Sequence, residues 1–274
     1  MRRYTIVSVI LIALFTTGCA NRTKEKPERT EIEHYTEAKR QIDKKNYLTA
    51  IDELRELEAR FPYGDYTEQA QLDLLYVQFR AVDYPAVIAT ATRFQRNYPT
   101  HKHLDYVLYM HGLANYQLER GMLDGLFGPN KAARDLKAWR DAFRVFDQLI
   151  QRYPASPYAA DARARMTHIR NQLAEQELHA ARYYARRQAY IAAIKRAQNV
   201  ITHYQRTPAV PEALAIMNKA YLSMEEPELA NKSYQVLAHN WPDSPFLSKN
   251  KEEAKLAWWP REHSWLSWLT FDLL

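Results

Sequence analysis

One side chain stands apart for its chemistry and its place. Cys19 is the only cysteine among 274 residues, so no internal disulfide can form. Arg2 and Arg3 precede an apolar run from Ile6 to Phe15, and Thr16, Thr17 and Gly18 lead into the cysteine. A cationic start, a short apolar stretch and a small-residue site describe a secretory signal, too short to span a bilayer as a mature helix. An ordinary cleaved signal would leave Cys19 as a reactive thiol in an oxidising compartment.

No other residues assemble into a reactive set. The chain has no nucleophile elbow, no P-loop, no dinucleotide fingerprint and no zincin pair. His101, His103 and His111 lie close in sequence, but H-x-H on a turn is a weak metal signal. Glu53, Glu56 and Glu58 read as solubility charges on an exposed helix. The expectation is therefore no catalytic residue, no metal, no cofactor and no enzyme. The formal net charge is +6, about +4 once the signal is removed, a mild excess; a secreted chain with no recognised motif is not expected to meet nucleic acid. Arg163, Arg165, Arg170, Arg182, Arg186 and Arg187 read mostly as a solvated helix face, with acids such as Glu175 and Glu177 among them.

The elements that carry these residues repeat. Five times a residue that opens a helix is followed fourteen positions later by an aromatic that ends it: Tyr47 and Phe61, Tyr84 and Tyr98, Trp139 and Tyr153, Tyr190 and Tyr204, Pro227 and Trp241. Pro62, Pro99, Pro154 and Pro242 follow directly and stop the helix. Apolar residues recur three positions into each unit (Ala50, Val87, Ala142, Ala193, Ala230) and ten positions in (Leu57, Phe94, Leu149, Val200, Leu237). The small ones allow close helix approach, and the closing aromatic plugs the gap to the next pair. The unit starts lie 37, 55, 51 and 37 residues apart, against about 34 for a tetratricopeptide repeat. The first long gap holds a loop insert rich in glycine, and the second predicts one long helix from Ala159 to Arg187. Ser156-Pro157 and Thr207-Pro208 are expected to cap and open helices. Few glycines and no alternating β-branched runs leave little room for a sheet.

The predicted fold is all-α, a superhelix of five tetratricopeptide-like helix pairs with a concave face. The domain reading is a signal over 1–18, a modified cysteine and tether over 19–33, repeats over 34–243 and a tryptophan-rich tail over 244–274. The repeats run at about 34–65, 66–99, 100–154, 155–206 and 207–243. Residues 21–33 are charged and nearly free of apolar side chains, a flexible tether reaching at most roughly 45 Å.

Two features exceed a plain scaffold. The linker Phe61-Pro62-Tyr63-Gly64-Asp65-Tyr66, with Gln69, Asp73 and Tyr76 on the next helix, offers aromatic and polar groups to an extended peptide. The tail holds Trp258, Trp259, Trp265 and Trp268, and three roles suit it: capping the last repeat, docking on a partner, or touching a membrane interface.

The start of the chain resembles the bacterial lipoprotein lipobox, with Thr16 where leucine is usual. That resemblance implies acylation of Cys19 with palmitate-type chains, and Ala20 in place of aspartate implies transport to the outer membrane. Several acyl chains on one terminus make a stable anchor. The stretches FPYGDYTEQAQLDLLY (61–76), NYPTHKHLDYVLYMHGLAN (97–115), LFGPNKAARD (126–135) and RYYARRQAYIAAIKRAQ (182–198) resemble the BamD (ComL) family over about residues 32–241. Membership implies a non-enzymatic lipoprotein of the outer-membrane β-barrel assembly machinery, anchored in the outer membrane and facing the periplasm. The resemblance implies that the C-terminal repeats bind the last periplasmic domain of BamA and support a BamC-like accessory lipoprotein. It also implies that the N-terminal repeats receive the C-terminal targeting strand of unfolded outer-membrane proteins. The family arginine that pairs with acids of BamA falls on Arg196. The third-repeat insert is shorter than in the best-known members, and the tail is unlike theirs. Other readings are a different periplasmic repeat lipoprotein, such as a secretin pilotin or a cell-envelope division coordinator, and a peptidoglycan hydrolase, which would need a carboxylate or metal cluster in a cleft.

Overall fold

The structure, a computed structural model, describes residues 29–120, 136–247 and 253–259. The signal, Cys19, most of the insert, and Trp265 and Trp268 lie outside the described residues. Ten helices run through the described chain: α1 Glu31–Asp43, α2 Tyr47–Arg60, α3 Thr67–Arg80, α4 Tyr84–Asn97, α5 Leu104–Arg120, α6 Lys137–Arg152, α7 Ala159–Arg186, α8 Tyr190–His203, α9 Val210–Ser223 and α10 Pro227–Asn240. No strand occurs among the described residues, only one isolated antiparallel bridge, Leu247 to Ala254. Compact packing divides the chain into Met1–Ala70 and Gln71–Leu274. In the first unit α1 packs on α2; in the second α4 to α10 pack on one another in chain order, and α9 also touches α7.

The same backbone device ends the first helix in four of the five pairs. Lys45, Val82, Gln188 and Glu225 take φ of 61°, 62°, 59° and 61°. The next residue in each case donates its N–H to a carbonyl five positions back: Asn46 to Gln41, Asp83 to Gln78, Ala189 to Tyr184, Glu226 to Tyr221, at 2.9–3.0 Å. This is a Schellman ending, which satisfies carbonyls that the last helical turn leaves open. Here it is made without glycine, and at Val82 with a β-branched residue.

The second helix of each pair ends on its aromatic. Phe61, Tyr98, Tyr153, Tyr204 and Trp241 have φ between −125° and −136° and donate back four residues. Two consecutive turns follow each one. The N–H of Gly64, His101, Ser156, Thr207 or Ser244 meets the carbonyl of its aromatic, and the residue three further on repeats the step. Proline suits the position after each turn's first residue. Pro157 and Pro208 accordingly sit in the second turn, not in the helix as expected. The helices begin later, at Ala159 and Val210, with Tyr158 and Ala209 as N-caps that make no side-chain bond. Ser156 Oγ donates to Asp105 Oδ2 at 2.7 Å and accepts from the N–H of Tyr158 at 3.3 Å, within the turn. The third unit's second helix also begins two residues before Trp139, at Lys137, with Leu136 at the N-cap and no side-chain cap bond.

All ten repeat positions read as core are at most 1 % exposed. Tyr153 packs on the clusters around both Phe94 and Phe146, and Tyr204 on those around Phe146 and Ala213, so these two closing aromatics join successive pairs. Gly112 lets Phe146 approach α5: a Cβ there would lie 2.5 Å from the ring. The long helix α7 spans 28 residues, as the 51-residue spacing required.

Candidate protein-interaction sites

The first unit presents the linker 61–66. Thr67 Oγ1 closes it by donating to the carbonyl of Phe61, which is half-buried. Tyr63 projects fully, 99 % exposed. Tyr66 stacks on Tyr35 of α1, centroids 4.9 Å apart at 29°. Gln69 is exposed on the first turn of α3. Asp73 and Tyr76 belong to the second unit, where Arg80 donates to the Tyr76 hydroxyl at 2.9 Å with its guanidinium 5.7 Å from the ring centre. The six residues expected to meet a peptide are thus divided between the two units.

Beneath this linker, Glu53 corrects an expectation. It is not a solvated surface charge. Its side chain is 15 % exposed, accepts from Arg29 Nη1 at 2.9 and 3.0 Å, and lies 2.9 Å from Nδ1 of the buried His34. Among the described residues, His34, Glu53 and Glu56 are the group close enough to hold a metal ion. The Arg29 guanidinium already supplies the positive charge there, and Glu56 pairs with Arg60 at 2.7 Å. The three are therefore read as an ion-pair network.

In the second unit, Arg196 lies on α8 with its side chain 46 % exposed and Nη1 3.1 Å from Glu177 Oε2 on α7. The hydrogen bond and charge of Glu177 raise its pKa further. It stands at the surface, charged at any physiological pH, where an acidic partner can share it with Glu177.

The tail forms a structure that sequence reading did not resolve. Residues 253–259 return over the last helices, with Ala254 and Leu256 buried. Ala254 N–H donates to Asn218 Oδ1 at 2.8 Å, and Asn218, fully buried, donates to the Ala230 carbonyl at 2.9 Å. Trp259 lies parallel to Tyr190, 5.9 Å between centroids. Trp258 Nε1 donates to Glu212 Oε1 at 3.2 Å. Glu212 is held bidentately by Arg182, at 2.7 and 2.6 Å, and Arg182 also reaches Glu175 at 2.6 Å. Arg182 is thus no solvated surface charge: its bonds to Glu212 and then Glu175 raise its pKa against the cost of burial. Of the three roles open to the tail, Trp258 and Trp259 fill the capping one.

Repeated helix pairs with Schellman endings, double-turn linkers and exposed side chains at the linkers define a tetratricopeptide-type scaffold, a class that works by holding other chains. A family model described as an outer membrane lipoprotein, YfiO, matches residues 27–237. The chain belongs to that family. It is 37 % identical over 258 residues to the outer membrane protein assembly factor BamD of Neisseria gonorrhoeae, covering 94 % of this chain and 97 % of the relative. The protein of that name from Vibrio cholerae is 37 % identical over 238 residues, 87 % of this chain and 99 % of the relative. That from Pasteurella multocida is 36 % identical over 240 residues, 88 % and 92 %. These relatives carry the name of an assembly factor, not of an enzyme.

Proposed function

We propose that this chain is a non-enzymatic scaffold of the outer-membrane β-barrel assembly machinery. The observation that carries the reading is the family match over 27–237 together with relatives named as assembly factors along nearly their whole length. In this reading acylated Cys19 anchors the chain to the outer membrane on its periplasmic side. The C-terminal repeats hold the last periplasmic domain of BamA, with Arg196 meeting its acids, and support a BamC-like lipoprotein. The N-terminal repeats receive the targeting strand of unfolded barrel proteins through Phe61, Tyr63, Tyr66, Gln69, Asp73 and Tyr76. The exposure of Tyr63 and Arg196 supports both roles. The test is a native pull-down of the full-length protein from gently solubilised outer membranes, with and without Arg196→Glu. A stoichiometric barrel protein with periplasmic repeats is expected, and the variant should lose most of it at physiological salt. A secretin or a peptidoglycan-linked partner in its place would overturn the reading. Unchanged recovery by the variant would remove the role of Arg196.

A further inference from the structure

In the first unit a carboxylate and an aromatic ring from α1 occupy the linker 61–66. Glu31 Oε1 accepts from the N–H of Tyr66 at 2.7 Å, and Oε2 from that of Asp65 at 3.2 Å. One helical turn further on, Tyr35 lies against the Tyr66 ring at 4.9 Å. Gly64 makes room: a Cβ there would stand 2.1 Å from Glu31 Oε1, and the backbone at Gly64 has no left-handed φ that would itself require glycine. Glu31 is not needed to start its own helix. Thr30 and Glu33 form the capping box, with Thr30 N–H donating to Glu33 Oε2 at 2.7 Å. The contact is therefore separable from the folding of α1, and it reaches 35 residues along the chain to Tyr66.

Glu31 and Tyr35 are about 6 Å apart along the helix axis. A chain that ends in an aromatic residue likewise carries a carboxylate beside a ring, the two groups that Glu31 and Tyr35 present to the amide and ring of Tyr66. We propose that Glu31 and Tyr35 occupy in cis the seat that this linker offers to the terminal carboxylate and terminal ring of an unfolded barrel strand, so that release of these two side chains gates capture. The inference rests on the proposed role of the N-terminal repeats as receivers of such strands. The paired amides and the face of Tyr66 form a two-point receptor, and the resident pair has the chemistry of the incoming one. Tyr63, fully exposed beside it, is placed to meet the next apolar side chain of an extended peptide.

The test uses the full mature chain and fluorescence anisotropy with a labelled, alternately apolar decapeptide ending in phenylalanine, as free acid and as C-terminal amide. The wild type is expected to favour the acid. Glu31→Ala, which removes a carboxylate held by two amides, should tighten the acid at least about tenfold and leave the amide within about twofold. Gly64→Ala, which fills the seat, should abolish the difference between the two peptides. Tyr63→Ala with Tyr66→Ala should weaken both. If Glu31→Ala changes both peptides equally, or neither, the gate is overturned while the receiving role stands. If the wild type binds neither peptide, the receiving role falls and the gate with it.

Discussion

Removing Arg182 should loosen the C-terminal end of the second unit and free the tail. Arg182→Met keeps the length of the side chain but leaves Glu212, only 12 % exposed, without the two bonds at 2.6 and 2.7 Å that satisfy it. Breaking one partner of a buried pair costs about 3–5 kcal/mol, and the 23 % exposure of Arg182 lets water repay part of that, leaving about 2–3 kcal/mol. For a chain of this size the midpoint of thermal unfolding should fall by roughly 5–10 °C. Glu212→Gln alone should cost less, because Arg182 keeps Glu175 at 2.6 Å. The double variant should be more stable than the sum of the two losses predicts, by at least about 1 kcal/mol of coupling. Trp258 shares Glu212, so Arg182→Met should also speed tryptic cleavage after Lys255 in the returning segment 253–259. Thermal and urea melts of the four proteins, with a proteolysis time course, decide the matter. Losses that add within about 0.3 kcal/mol would refute the pairing as what fastens segment 253–259.

Three further outcomes follow from single residues. Val82→Gly should stabilise by about 0.5–1 kcal/mol, since a β-branched residue at φ 62° and 47 % exposure has strain to lose and little burial; a lower urea midpoint would contradict this. Gly112→Ala should destabilise by about 1–2 kcal/mol despite the better helix propensity of alanine, because the ring of the fully buried Phe146 has nowhere to move; a gain in melting temperature would contradict it. Burial first, and Arg144 second, lower the pKa of His111 to about 4, and Gln95 Nε2 at 3.0 Å donates to a neutral ring. The unfolded chain takes up that proton near pH 6.5 and the folded chain only near 4. Stability is therefore complete above 6.5 and falls as the pH drops through that window, by about 2 kcal/mol at pH 5. His111→Gln should flatten the urea-midpoint profile between pH 7 and 5.

The periodic part of the molecule was legible because it is local. A helix that ends on an aromatic, followed in four of the five pairs by proline, is specified within five residues, and the structure places Phe61, Tyr98, Tyr153, Tyr204 and Trp241 at the cap in every pair. The length of α7 followed from arithmetic on the repeat. The prolines of the second linker turn were misplaced by two residues, because proline suits a turn and a helix start equally well. The Schellman endings gave no signal, since Lys45, Val82, Gln188 and Glu225 share no residue type; the six glycines of the chain stand elsewhere.

By itself the sequence determined the helix pairs, their core positions, the family resemblance and the linker 61–66 as a surface worth testing. Tertiary structure alone decided which charges are surface and which are joints. Arg182 meets Glu212 across 30 positions, Glu53 meets His34 across 19, and Glu31 meets Tyr66 across 35. No periodicity records such partners, because an ion pair or an amide seat depends on where two helices bring their ends together. Helical period settles only which face of one helix is buried.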